Sequence, residues 1–149
     1  MPAGARPPAA GYPPAPLQRK LGIKPGHTLL LVAAPGDFPA TLGALPPGVT
    51  VAAGATSAGL PDTSPADVIV VFVTWRHELA GQFDDLRKRL TPAGGLWIAW
   101  PKKAARVPTD LTDQAIRELA LPTGLVDNKV CALDATWTAL RLVLRRELR

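Results

Sequence analysis

The chain has 149 residues, 47% of them apolar, and a formal net charge of +5. That length suits one domain whose core hides roughly 70% of the unfolded surface. No apolar run reaches the roughly 18 residues of a membrane span, and prolines and glycines interrupt the start where a signal peptide would need a continuous apolar stretch, so a cytoplasmic protein with no membrane partner is expected.

Residues 1–16 are rich in proline and alanine and carry Pro2, Pro7, Pro8, Pro13, Pro14 and Pro16. Such a segment buries too little apolar area to offset its ordering entropy and reads as a disordered arm. The remainder, 17–149, reads as one α/β domain. Leu17 to Leu21 suits a helical turn ended by Gly22, and Pro25-Gly26 marks a turn. Thr28 to Ala33 has no polar alternation after its first residue, as a strand buried on both faces requires. Pro35-Gly36-Asp37 breaks it, and a short helix follows with Phe38, Leu42 and Leu45 on one face. Val49–Ala53 reads as a second strand and 54–65 as a loop. Asp67 to Val73 is continuous and β-branched, hence a central parallel strand. The helix after it, 76–90, carries a stripe of Leu79, Phe83, Leu86 and Leu90. Pro92 and Gly94-Gly95 then lead into a strand at Leu96–Trp100 that Pro101 stops. Thr109-Asp110 looks like the N-cap of a helix reaching Ala120. Two last strands, 125–133 and 137–145, are joined by Asp134-Ala135-Thr136, a link short enough to force an antiparallel pair. Within the second of them Arg141 alternates with Leu140, Leu142 and Leu144, as on a charged edge strand. The whole order predicts a Rossmann-like mixed sheet, mostly parallel with a C-terminal antiparallel hairpin and helices on both faces.

Three features resemble the class I S-adenosylmethionine-dependent methyltransferases. They are Leu21-Gly22-Ile23-Lys24-Pro25-Gly26 before the first strand, Leu90-Thr91-Pro92-Ala93-Gly94-Gly95-Leu96-Trp97-Ile98 at the approach to a later one, and the terminal hairpin. More closely, Lys20 to Gly26, Trp97 to Lys103, and Leu121 to Asp127 with Lys129-Val130-Cys131 are similar to a bacterial family, domain-of-unknown-function family 3052, over nearly the whole chain. The first resemblance implies a nucleotide-type sheet. The second implies no particular activity.

In open α/β sheets ligands bind beyond the carboxyl ends of the strands. The loops that qualify are Pro35-Gly36-Asp37, Thr74-Trp75-Arg76 and, after Pro101, Lys102-Lys103, which bring a turn, an aromatic ring and three cations. The methyltransferase resemblance implies several glycines in the first of these loops and an acid at the end of the second strand to hold a ribose. Here Gly36 stands between Pro35, which has no amide hydrogen, and Asp37, while Ala52-Ala53-Gly54 fills the acid's place. No cofactor is therefore expected, S-adenosylmethionine being the alternative. His77 reads as a helix-surface residue, Trp75 and Trp100 as packing or lid residues, and Asp127-Asn128-Lys129 as a strand's exposed start. Cys131, the one cysteine, reads as a buried small hydrophobe. There is no metal-ligand cluster, P-loop or nucleophile elbow. The resulting expectation is a non-catalytic, methyltransferase-like module that binds a small anionic ligand or a protein partner. An active S-adenosylmethionine-dependent methyltransferase is the first alternative. A basic nucleic-acid accessory protein is the second, although nucleic acid is not the expected partner.

Overall fold

The computed structural model describes residues 15–62 and 65–149. The arm expected over 1–16 lies outside the described residues except for Ala15 and Pro16. Six strands form one sheet: β1 (Thr28–Val32), β2 (Thr50–Gly54), β3 (Ala66–Phe72), β4 (Leu90–Pro101), β5 (Leu125–Ala132) and β6 (Trp137–Leu144). Their spatial order is β2-β1-β3-β4-β6-β5. The first four run parallel, and β6 lies antiparallel to both β4 and β5. This is the Rossmann-like mixed sheet that the hydrophobic pattern predicts. Among the described residues no helix is long and apolar enough to cross a membrane.

The continuous apolar runs are buried because both faces of the sheet are covered. Leu30, Val32, Ile69 and Val71 point to one face and Leu29, Leu31, Val68 and Val70 to the other. The first face is covered by α3 (Arg76–Ala80), α4 (Phe83–Lys88) and α5 (Asp113–Ala120) through Leu79, Phe83, Leu86 and Ile116. The second is covered by α1 (Leu17–Lys20), α2 (Phe38–Leu42) and the segment after α1 through Leu21, Ile23, Phe38 and Leu42. The Trp97 indole N–H on β4 donates to the Leu21 carbonyl at 3.1 Å, so the turn before β1 is fastened to the middle of the sheet.

Several boundaries differ from the sequence reading. The expected 76–90 helix is two short helices parted at Gly81-Gln82, because the Gln82 side chain donates to the Glu78 carbonyl (3.1 Å) and accepts from the Ser57 amide (2.7 Å). The stripe of Leu79, Phe83, Leu86 and Leu90 is buried all the same. The expected N-cap at Thr109-Asp110 is replaced by Thr112, whose Oγ1 accepts from the Ala115 amide at 3.0 Å. The helix over 38–45 stops at Leu42 because Gly43 turns the chain at φ 82°. Strand β4 is longer than 96–100 and takes in Gly94 and Gly95. Finally, β6 is an interior strand and β5 the edge. Arg141 therefore does not sit on a charged edge. It pairs with Trp97 on β4 and with Lys129 on β5.

Candidate functional site

The strand order reverses between β1 and β3, and the crevice beyond their carboxyl ends is where a sheet of this kind opens. Three features shape it. Ala33, the residue after β1, adopts a left-handed backbone with φ 56°, and its amide donates to the Gly54 carbonyl at 2.8 Å. The loop after β2 folds back over the crevice, held by the Ser57–Gln82 bond and by burial of Ser57 and Leu60. Glu78 on α3 turns inward along the chain, where its carboxylate accepts from the amides of Thr74 (3.3 Å) and Trp75 (3.0 Å). What is left is a cavity of about 290 Å³ walled by Ala33, Thr56, Phe72, Glu78 and Gln82.

The residues of this crevice do not fit S-adenosylmethionine in the manner the methyltransferase resemblance implies. A ribose-binding carboxylate would follow β2, yet Gly54 ends that strand. A Cβ there would lie 3.1 Å from the backbone of Gly59, so the chain's own loop leans on the spot. Pro35 withholds an amide, and Gly36 and Asp37 are exposed.

Further along the same edge, beyond the ends of β3 and β4, lies a larger cavity of about 650 Å³. Trp100, Val107 and Leu111 give it apolar walls, and Lys102, Lys103 and Arg106 give it charge. Lys102 is fixed by its amide, which donates to the Thr136 carbonyl at 2.8 Å. A single turn over Lys103–Ala105 then delivers Arg106 in a left-handed conformation, φ 58°. Among the described residues the one carboxylate in the lining, Asp113, is already paired with Arg117 at 2.9 Å. Arg117 also meets Asp127 at 3.1 Å, and these contacts, the Asp127 bond foremost, raise its pKa above the ordinary value. None of the three cations has a carboxylate within 4.0 Å among the described residues.

The topology thus brings the expected loops to one edge but gives them different uses. Lys102 and Lys103 line the larger cavity. Thr74, Trp75 and Arg76 line neither cavity, and their backbone groups and the Arg76 guanidinium are used within the chain. The Thr74 carbonyl accepts from the Thr109 hydroxyl. The Arg76 amide donates to Asp110 at 2.7 Å and its guanidinium to Glu118 at 3.3 Å. Pro35, Gly36 and Asp37 line neither cavity. His77 is exposed on α3, and Cys131 is buried, which pushes its thiol pKa up. Sequence reasoning missed Arg106 and the Thr109–Asp110 clamp. A cation before a proline-bounded segment was a visible signal for Arg106, whereas the clamp joins residues 34 and 35 positions apart and left none.

Strand order and layering decide the comparison with known proteins. The fold is that of the S-adenosylmethionine-dependent methyltransferases. An enzyme of that kind from Aquifex aeolicus superposes with a TM-score of 0.62 at 14% identity, over 85% of this chain and 86% of the other. Magnesium protoporphyrin IX methyltransferase from Synechocystis, solved with bound S-adenosylmethionine, gives 0.58 at 10% identity over 87% and 74%. The ribosomal protein L11 methylase of Lactobacillus delbrueckii subsp. bulgaricus gives 0.58 at 12% identity over 86% and 74%. At such identities the methyltransferase likeness is one of fold. No family model matches the chain, and no curated protein does.

Proposed function

We propose that this chain is a non-catalytic, cytoplasmic binding module on a methyltransferase fold, of the kind grouped as domain-of-unknown-function family 3052, and that it takes a small amphipathic anion at the carboxyl edge of its sheet. One observation carries the reading: Lys102, Lys103 and Arg106 share with Trp100 and Leu111 a cavity of about 650 Å³ in which the one carboxylate is already paired. That volume lies inside the range of small-molecule sites, and cations without partners beside apolar walls suit a ligand with an acidic head and an apolar body. The cofactor crevice supports the non-catalytic half, since the loop after β2 occupies the place of a ribose ligand.

Isothermal titration with phenyl phosphate and phenylacetate tests the site. Saturable binding that falls at least tenfold in the Lys102→Ala/Lys103→Ala double variant is expected. Titration with S-adenosylmethionine and its demethylated product should give no saturable heat. A low-micromolar Kd for either would replace this reading with that of an active methyltransferase, which the neighbour solved with bound cofactor favours.

A further inference from the structure

The opposite, amino edge of the sheet holds a further cavity, of about 370 Å³, with a different make-up. It forms where the turn before β1, the starts of β3 and β4, and the β5–β6 pair meet. Arg19, Lys20, Lys24, Lys129 and Arg141 all line it, together with His27. Among the described residues the one carboxylate in the lining is Asp67, whose Oδ2 accepts from the Thr28 amide at 2.8 Å. None of the five cations has a carboxylate within 4.0 Å among the described residues. Five like charges around one small cavity repel one another, and the assembly lowers its energy by taking in an anion.

The arrangement is built into the sheet rather than scattered over its surface. Arg141 stands on interior strand β6 and is half-buried. Its guanidinium lies across β4 above Gly95, where a Cβ would clash with Nε, so glycine is what makes room for it. Burial, and secondarily Arg149, lower its pKa below the ordinary arginine value, yet an arginine stays charged at any physiological pH. Lys129 sits directly opposite in the β5–β6 register. On the far wall the Lys24 amide donates to His27 Nδ1 at 3.1 Å, which leaves Nε2 as the protonated, donating nitrogen of the neutral ring. A fixed fork of N–H donors ringed by lysines is the donor set for a phosphate group.

We propose that this amino-edge cavity binds a small phosphate-bearing anion of two or more charges. The site is separate from the carboxyl-edge cavity and does not rest on it. Its size and the depth of Arg141 favour a free phosphate compound over the backbone of a nucleic acid, which would meet the exposed lysines but not the half-buried guanidinium.

Titration of the full chain with inorganic pyrophosphate and orthophosphate at physiological salt tests the proposal. One-to-one saturable binding is expected, at least tenfold tighter for pyrophosphate. It should weaken at least tenfold in Arg141→Gln and several-fold in Lys129→Gln and Lys24→Gln, whose exposed side chains can change without unfolding the chain. Lys88→Gln, an exposed cation on α4, should change it less than twofold. Absence of saturation overturns the proposal. So does binding that survives all three cavity variants, or binding that is lost in Lys102→Ala/Lys103→Ala and kept in Arg141→Gln. Tight, steeply salt-dependent binding of single-stranded RNA that pyrophosphate does not displace would likewise overturn it.

Discussion

Around the crevice beyond β1 and β3 the chain spends its polar groups on itself. Glu78 accepts the amides of Thr74 and Trp75, Asp110 accepts that of Arg76, and Gln82 bridges Ser57 to Glu78. At the amino edge the opposite holds. Five cations line one cavity, and its single carboxylate is occupied by a backbone amide. Helices α3 and α4 cover their face of the sheet with fully buried side chains, whereas α1, of four residues, lines the amino-edge cavity through Arg19 and Lys20 and buries none. Internally satisfied groups hold a shape, and groups left without partners are free for a ligand. The crevice that the fold would lead one to examine is thus mostly self-occupied, and the unspent charge has moved to Lys102–Arg106 and to the opposite edge.

Truncating one residue in α4 and one in α1 tests that difference in depth most strongly. Leu86, on α4, has 0% exposure, and Leu86→Ala should cost about 2–5 kcal/mol in urea denaturation. Leu17, on α1, is only half-buried, and Leu17→Ala should cost less than about 1 kcal/mol. Equal losses would mean that α1 is as deeply seated as α4.

The parts of this architecture that were legible in the sequence are those set by local pattern. The unbroken apolar runs of β1 and β3 give central parallel strands, the three-residue link at 134–136 gives the hairpin, and the Leu79–Leu90 stripe gives the buried face. The parts that were not legible depend on register. Arg141 resembles an edge charge until the pairing puts it beside Trp97 and over Gly95. Each cation of the amino-edge cavity is an ordinary surface residue in its own segment, and only the sheet order gathers them. Lys102 and Lys103 could be found because strand ends in such sheets converge on one edge. Which loop stays open there depended on side-chain bonds, such as that of Gln82, which no local pattern encodes.

The glycine pair of β4 refines the comparison. A Cβ on Gly94 would meet Leu90 and Thr91 at 2.8 Å and the Ala66 carbonyl at 3.0 Å, so Gly94→Ala should cost about 1–3 kcal/mol through backbone displacement. The three atoms nearest a Cβ on Gly95 all belong to the far end of the Arg141 side chain, which can swing away. Gly95→Ala should therefore lower stability by less than about 1 kcal/mol while weakening pyrophosphate binding as Arg141→Gln does. If Gly95→Ala left that binding intact, the guanidinium would not be the group that holds the anion.

Cys131 reports on the amino edge through its charge environment. Burial raises the thiol pKa, and Lys20 and Lys129, both in the cavity lining, partly oppose the rise. A folded pKa above the unfolded value favours the native state below the unfolded pKa of 9.0, and this contribution is lost as pH rises through the folded value. Wild-type stability should thus fall more steeply above about pH 9 than that of Cys131→Ala. Pyrophosphate, by screening Lys20 and Lys129, should raise the folded value further and so deepen the wild-type fall, which still begins near the unfolded pKa. Parallel curves for the two proteins would show a thiol that titrates alike in both states.

The smallest expected effect returns to the carboxyl edge. Ala33 follows β1 at the reversal of strand order and holds φ 56°, a conformation that costs a residue with a Cβ about 1–2 kcal/mol. It is kept there by its amide bond to the Gly54 carbonyl, 2.8 Å, which couples the ends of β1 and β2. Glycine would adopt the same angle without the steric cost but would lose more freedom on folding, by about 0.5–1 kcal/mol. The difference leaves Ala33→Gly more stable by about 0.5 kcal/mol, readable as a small rise in the urea midpoint with an unchanged slope. Ala33 is exposed and lines the 290 Å³ cavity, so removing its methyl gives up little packing. A net loss of stability would instead mean that the methyl braces the loop folded over the crevice. The same substitution brings this turn nearer to the glycine-rich form that the methyltransferase resemblance implies. If S-adenosylmethionine still fails to bind, the barrier lies with the loop against Gly54 and the missing carboxylate, and not with the strained alanine.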